Sequence, residues 1–372
     1  MKTRCARLCQ LVCLCALACL FLVAGGLAQE NNSEMQFSKE PAKGRFVTLP
    51  PRLHYEAATP SVPLTTWNGT FTYKSKKYTY NMVGTAPSSN LTTTIPVYIV
   101  PLKIVITGSA STTTFSPGHV LANGNTVTKN TVASPLFDST TTYTQGGIDV
   151  GTTQYVDAFQ RANFWGTVQT NPNYHLILGT PTVLARQTLS PPMNKGKTGS
   201  PFGAKVGLVD IDWFDAQVQT LIAKFTQIKP NSLPIFLTYD VYLTQAGQCC
   251  IGGYHSSAGS VSAPQAYAES TYVNHVGQFA QDVSALSHEI GEWADDPLVL
   301  NNGNNTPCGV LEVGDPLENN PNFGDYPYVL NGFTYHLQDL TTLPYFGAPR
   351  STSVNNFLTF QGEPLTVCEN GS

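Results

Sequence analysis

At 372 residues the chain is long enough for a sizeable core and exceeds one small compact unit. Only 12% of it is Asp, Glu, Lys or Arg, about half the usual share of charge, and the formal net charge is −4. So few cations argue against nucleic acid or an anionic membrane surface as a natural partner.

Residues 1–28 read as a secretory signal. Lys2, Arg4 and Arg7 precede an apolar run over 11–23, and Gly26-Leu27-Ala28 supplies small residues for cleavage. Cleavage after Ala28 implies export, to the extracellular space, the cell surface or a periplasm, with no stable membrane span left behind. It removes basic residues and no acidic one, so the exported chain is more acidic still. It also removes Cys5, Cys9, Cys13, Cys15 and Cys19. Cys249, Cys250, Cys308 and Cys368 remain, and an even number in an exported chain points to disulfides. Adjacent cysteines bond each other only with strain, so Cys249, Cys250 or both are expected to pair with Cys308 or Cys368.

Residues 29–45 are polar and form a flexible lead-in. From 46 to 200 the chain is rich in Thr, Ser, Val, Tyr, Gly and Pro, the composition of short strands and turns. Phe71-Thr72-Tyr73 and Tyr78-Thr79-Tyr80 flank Lys74-Ser75-Lys76-Lys77 as a hairpin. Residues 95–106, 127–132 and 174–184 read as strands, and 156–165 as a helix. Beyond 200, Asp212 is placed to cap a helix over 213–225. Residues 233–244 alternate as one long strand, and 266–272 as another.

Chemistry concentrates in Ser287-His288-Glu289-Ile290-Gly291-Glu292-Trp293. Val276, Phe279, Val283, Leu286, Ile290 and Trp293 recur at steps of three and four, which predicts an amphipathic helix. Asp295-Asp296-Pro297 ends it. His288 and Glu292, one turn apart, share the face opposite that stripe and can grip one metal ion. Glu289 is placed to act as a general base on a water. Acidic residues crowd the region, with Glu312, Asp315 and Glu318 following and no Lys or Arg between Lys229 and Arg350. Uncompensated carboxylates favour a bound cation.

His-Glu-x-x-Glu is one letter from the His-Glu-x-x-His signature of zinc peptidases. With Pro297, Glu312-Val313-Gly314-Asp315 and the upstream Cys250 and His255, it resembles the phosphate-induced, or exordium-like, family of secreted proteins. The resemblance spans roughly residues 233–340. It departs after Asp315, where that family has a Cys and this chain has Pro316-Leu317. It implies an α+β chain, in which a β-rich half at 46–200 is followed by a zincin-like domain at 201–372 with a central metal-binding helix. Glu292 in place of a second imidazole makes a zinc site less acidifying and admits Mn²⁺ or Ca²⁺ beside Zn²⁺.

The expected ligands are His288, Glu292 and, as in Glu-type zincins, a third from downstream, Glu312. Asp315 is expected to orient His288 through its other ring nitrogen. His336 is a rival ligand, and His255, after a Gly-Gly-Tyr turn, a candidate oxyanion stabiliser. The expected activity is that of an exported metal-dependent hydrolase of the zinc-peptidase kind, acting on a peptide or an extracellular polymer. The alternative is a non-catalytic extracellular or wall-associated binding protein with a structural metal site.

Overall fold

The computed structural model describes residues 35–36, 38, 40–55, 61–301 and 311–365. The signal segment, Cys308 and Cys368 lie outside them. The described residues form one compact unit.

A twelve-stranded mixed sheet runs through it. In spatial order its main path is Thr182–Val183, Val97–Thr107, Leu233–Tyr239, Ala263–Tyr272, Gln248–Ser260, Val241–Gln245, Val206–Asp210 and Gly196–Gly199. The central three, Val97–Thr107, Leu233–Tyr239 and Ala263–Tyr272, are mutually parallel, and Gln248–Ser260 returns antiparallel beside them. These strands are buried on both faces, which explains their near-continuous apolar runs. In Leu233–Tyr239, Ile235 and Leu237 face one core while Phe236 faces the other. On the first face lie the helices Tyr155–Asn163 and Ser284–Asp295. On the second lies Ile211–Lys224, through Phe214, Val218 and Leu221.

This is not the zincin-like α+β layout that the sequence implied. The fold is mostly β, 40% strand against 17% helix among the described residues, because apolar strands from both halves of the chain need two covered faces and obtain them in one sheet. The 71–80 hairpin forms as Thr66–Tyr73 paired with Lys76–Val83, and Lys74 and Ser75 take positive φ at the turn. The 127–132 stretch is a helix, not a strand: the Thr126 side chain accepts from Lys129 N–H and caps it, overriding the β-branched residues. The later helix is Ile211–Lys224, capped by Asp210 instead of Asp212. The long 233–244 strand breaks in two at Asp240, whose φ is 50°. Cys249 and Cys250 are bonded to each other across a cis peptide, which sets their Cα atoms 3.0 Å apart and corrects the expected pairing. Among the described residues no helix is long and apolar enough to cross a membrane.

Arg45–Thr48 and Arg52–His54 add along the Gln248–Ser260 strand. Arg52 is pinned there by buried Asp215 of the Ile211–Lys224 helix, with Nε 2.7 Å from Oδ2. The hydroxyls of Tyr254 and Tyr267 donate to the other Asp215 oxygen at 3.1 and 2.8 Å. Asp215→Ala therefore strips an acceptor from two buried hydroxyls and an ion pair at once. A loss of about 3 kcal/mol in urea unfolding is expected, and a change under about 0.5 kcal/mol, the scale of a neutral surface substitution, would contradict it.

Candidate metal centre

The Ser284–Asp295 helix is buried along its whole length. Leu286, Ile290 and Trp293 fill the core, as their spacing requires. The face opposite them is not solvated. It lies against the Gln248–Ser260 strand, where Gly253 leaves the space: a Cβ there would come within 2.9 Å of Glu289 Oε1 and of the Glu269 carbonyl. His255, two residues on, points from the strand to the same place. His255, His288 and Glu289 are 0% exposed and Glu292 1%.

The imidazole tautomers follow from fixed partners. Gln338 Nε2 donates to the Phe323 carbonyl at 2.9 Å, so Gln338 Oε1 faces His288 Nδ1 at 2.5 Å. Nδ1 therefore carries the hydrogen and Nε2 is left with its lone pair. His255 Nε2 faces the Asp296 carbonyl at 3.2 Å, which only accepts, so His255 Nδ1 is the bare nitrogen. The His288 lone pair turns toward Glu292, and the His255 lone pair turns toward Glu289 and, farther off, Glu292. His288 Nε2 is 3.0 Å from Glu292 Oε1, and His255 Nδ1 is 3.6 Å from Glu292 Oε2. Glu289 Oε2 lies 3.3 Å from the same His255 nitrogen. Among the described residues His288 Nε2 and Glu289 Oε1 have no hydrogen-bond partner, while Glu292 is held by the Gly314 N–H and the Glu312 side chain.

Electrostatics run the same way. Burial pushes the His288 imidazole down to about 4, against the pull of Asp315 and Gln338. Burial, with His288 nearby, pushes His255 down to about 3. Both rings are neutral and free to ligate. Glu289, Glu292 and Glu312 are each pushed well above the usual carboxylate range, by burial first and then by neighbouring carboxylates. Neutral imidazoles turned toward these buried carboxyls are groups that could hold a metal ion.

The ligand atoms of His255, Glu292 and Glu312 lie within 4.8 Å of one another, as do those of His288, Glu289 and Glu292, and those of His288, Asp315 and Glu318. Glu312 thus joins Glu292 in company with His255, not His288. Asp315 is 3.7 Å from His288 Nε2, on the ligating side of the ring, while Gln338 holds the orienting side. His336 stands apart, its Nδ1 bonded to Asp282 at 2.6 Å. Gln338 was missed: a Gln at the end of the Phe333–Gln338 strand carries no motif. Gly314 and Phe46 were missed as well. A Cβ on Gly314 would strike His288 and Gln338, and the Phe46 ring covers His288 at 4.0 Å while its N–H donates to Glu318.

At the end of the helix, burial lifts the Asp295 carboxyl to about 8; Gln160 opposes the shift and Asp296 adds to it. The unfolded chain gives up that proton near pH 4. Between about pH 4 and 8 the folded form holds a proton that the unfolded form lacks, so stability falls as pH rises through that window. One group contributes about 1.4 kcal/mol per pH unit at most. Asp295→Asn mimics the neutral side chain and is expected to flatten that slope. Urea unfolding at several pH values checks it, and an unchanged slope would contradict it.

Compared with known proteins, the chain matches no family model, no curated protein and no solved structure.

Proposed function

We propose that the chain is an exported metal-dependent hydrolase whose divalent cation is centred on Glu292. The observation that carries this is the pair of imidazoles fixed by Gln338 and Asp296, each turning a bare nitrogen toward one oxygen of buried Glu292, with His288 Nε2 lacking a hydrogen-bond partner among the described residues. Nitrogen and oxygen donors together suit Zn²⁺ or Mn²⁺ better than Ca²⁺, which takes oxygen ligands. His288, Glu292, His255 and Glu312 are the residues to hold it. Such a cation would acidify a water and polarise a carbonyl.

Glu289 supports an enzyme over a purely structural centre. A structural centre has no use for one more buried carboxylate, and Glu289 Oε1 has no partner. With its proton affinity raised by burial, Glu289 is suited to take a proton from a water and return it to a leaving group. The helix is similar to the metal helix of zinc peptidases in its His-Glu-x-x-Glu spacing, although the surrounding layout is different. A distant relation to the exordium-like proteins over 233–340 rests on that spacing and on the return of 312–315 to the helix.

A cavity of about 630 Å³ borders the helix end at Asp296, whose carbonyl fixes His255. Its walls combine Thr70, Tyr80, Asn81 and Asn301 with Leu298, Leu300 and the acidic Asp296, and none of His255, His288, Glu289, Glu292 or Glu312 lines it; the amides and hydroxyls suit a peptide backbone or a glycan. The test is hydrolysis of an unfolded polypeptide and of a soluble wall polysaccharide by the purified protein. Cleavage abolished by chelation and restored by Zn²⁺ is expected, and cleavage indifferent to chelator would contradict the reading. The complete burial of His288 and Glu289 favours one second reading, a non-catalytic binding protein with a structural cation. That reading predicts retained metal and no cleavage.

A further inference from the structure

We infer that the centre is built for two divalent cations bridged by the Glu292 carboxylate. This rests on the metal reading above and goes beyond it. Glu292 offers its two oxygens to two different imidazoles, Oε1 to His288 Nε2 at 3.0 Å and Oε2 to His255 Nδ1 at 3.6 Å. A carboxylate used in that way spans two ions, and ions in two-metal sites lie about 3.5–4 Å apart.

The remaining donors divide accordingly. Glu312 falls with His255 and Glu292, all three buried. Asp315 and Glu318 fall with His288, on a side where Asp315 is 45% exposed. These two sets share no residue, and Glu292, which also falls with His288 and Glu289, is the residue that joins them, so one cation placed in either set leaves the other imidazole's lone pair facing carboxylate oxygens.

Charge points the same way. Glu289, Glu292, Glu312, Asp315 and Glu318 surround the two neutral rings, and the sequence has no Lys or Arg between 229 and 350. One divalent cation cancels two of those carboxylates, whereas two cations cancel all but one. The inner ion, enclosed by His255 and Glu312, should exchange slowly, and the outer ion, beside Asp315, quickly.

The full chain, loaded with Mn²⁺ and desalted, tests this by metal analysis and electron paramagnetic resonance. Two ions per chain with a spin-coupled spectrum are expected. Asp315→Asn, at a half-exposed position, should keep one ion and show the spectrum of an isolated Mn²⁺. If that variant fails to fold, Glu318→Gln serves the same purpose. One ion per chain with an isolated spectrum, unchanged in either variant, would overturn the second ion and leave the hydrolase reading standing. Two ions without coupling would overturn the bridge. No bound ion would overturn both this inference and the reading on which it rests.

Discussion

Glu292→Gln is expected to abolish metal binding and yet make the metal-free protein more stable than its metal-free parent. Glu292 is buried, and burial and Asp315 raise its proton affinity well above the usual carboxylate range despite its bonds with the Gly314 N–H and the Glu312 side chain. Without a cation it either carries a proton at neutral pH or suffers repulsion, and both cost folding free energy. An amide of the same size removes that cost and adds two donors toward its acidic neighbours. A gain of roughly 1–2 kcal/mol is the scale seen when a poorly compensated buried charge is neutralised. With metal present the sign reverses, because only the parent binds it. At a free ion concentration 100 times the dissociation constant, binding stabilises the parent by about 2.7 kcal/mol. Urea unfolding with chelator and with Zn²⁺ reads both signs. A variant less stable than its parent under both conditions would mean that Glu292 is a structural acid and not a ligand.

Glu289→Gln should separate chemistry from binding. The substitution keeps the size of the side chain and its fit under Gly253 but cannot accept a proton. Metal content is expected to persist while any hydrolytic rate falls by roughly 10²–10⁴, the scale for losing a general base. Loss of metal along with activity would make Glu289 a ligand. Unchanged activity would remove its role altogether.

The helix was legible in the sequence because Leu286, Ile290 and Trp293 keep a period that only a helix satisfies, and because Pro297 follows the acidic pair that ends it. The same pattern misled at its start. Val276 fits the spacing, but it is 93% exposed and lies before the helix, which begins at Ser284. The strand opposite was the harder part to read. Gly252-Gly253 and the Ser- and Ala-rich run to Ser260 look like a loop by propensity. Those small residues are what allow the helix to lie close to the sheet, so the feature that obscures the strand also makes room for the site.

His255 and Gln338 come to His288 from strands far away in sequence, and no local spacing encodes such a meeting. The sheet was missed as a single body for a related reason. Strands buried on both faces lose the alternation of polar and apolar residues that marks a surface strand. Residues 97–107 and 233–239 each read as strands, but they lie far apart in sequence, and nothing local to either marks the other as its neighbour.

The central claim is a cation on Glu292, and metal analysis of the purified full chain tests it most directly. After extensive dialysis against metal-free buffer, the parent is expected to retain divalent metal at no less than one ion per chain. The Glu292→Gln protein, prepared side by side, is expected to retain none. A parent free of stoichiometric metal, even after loading with Zn²⁺ or Mn²⁺, would contradict the account, as would a Glu292→Gln protein that holds as much metal as its parent.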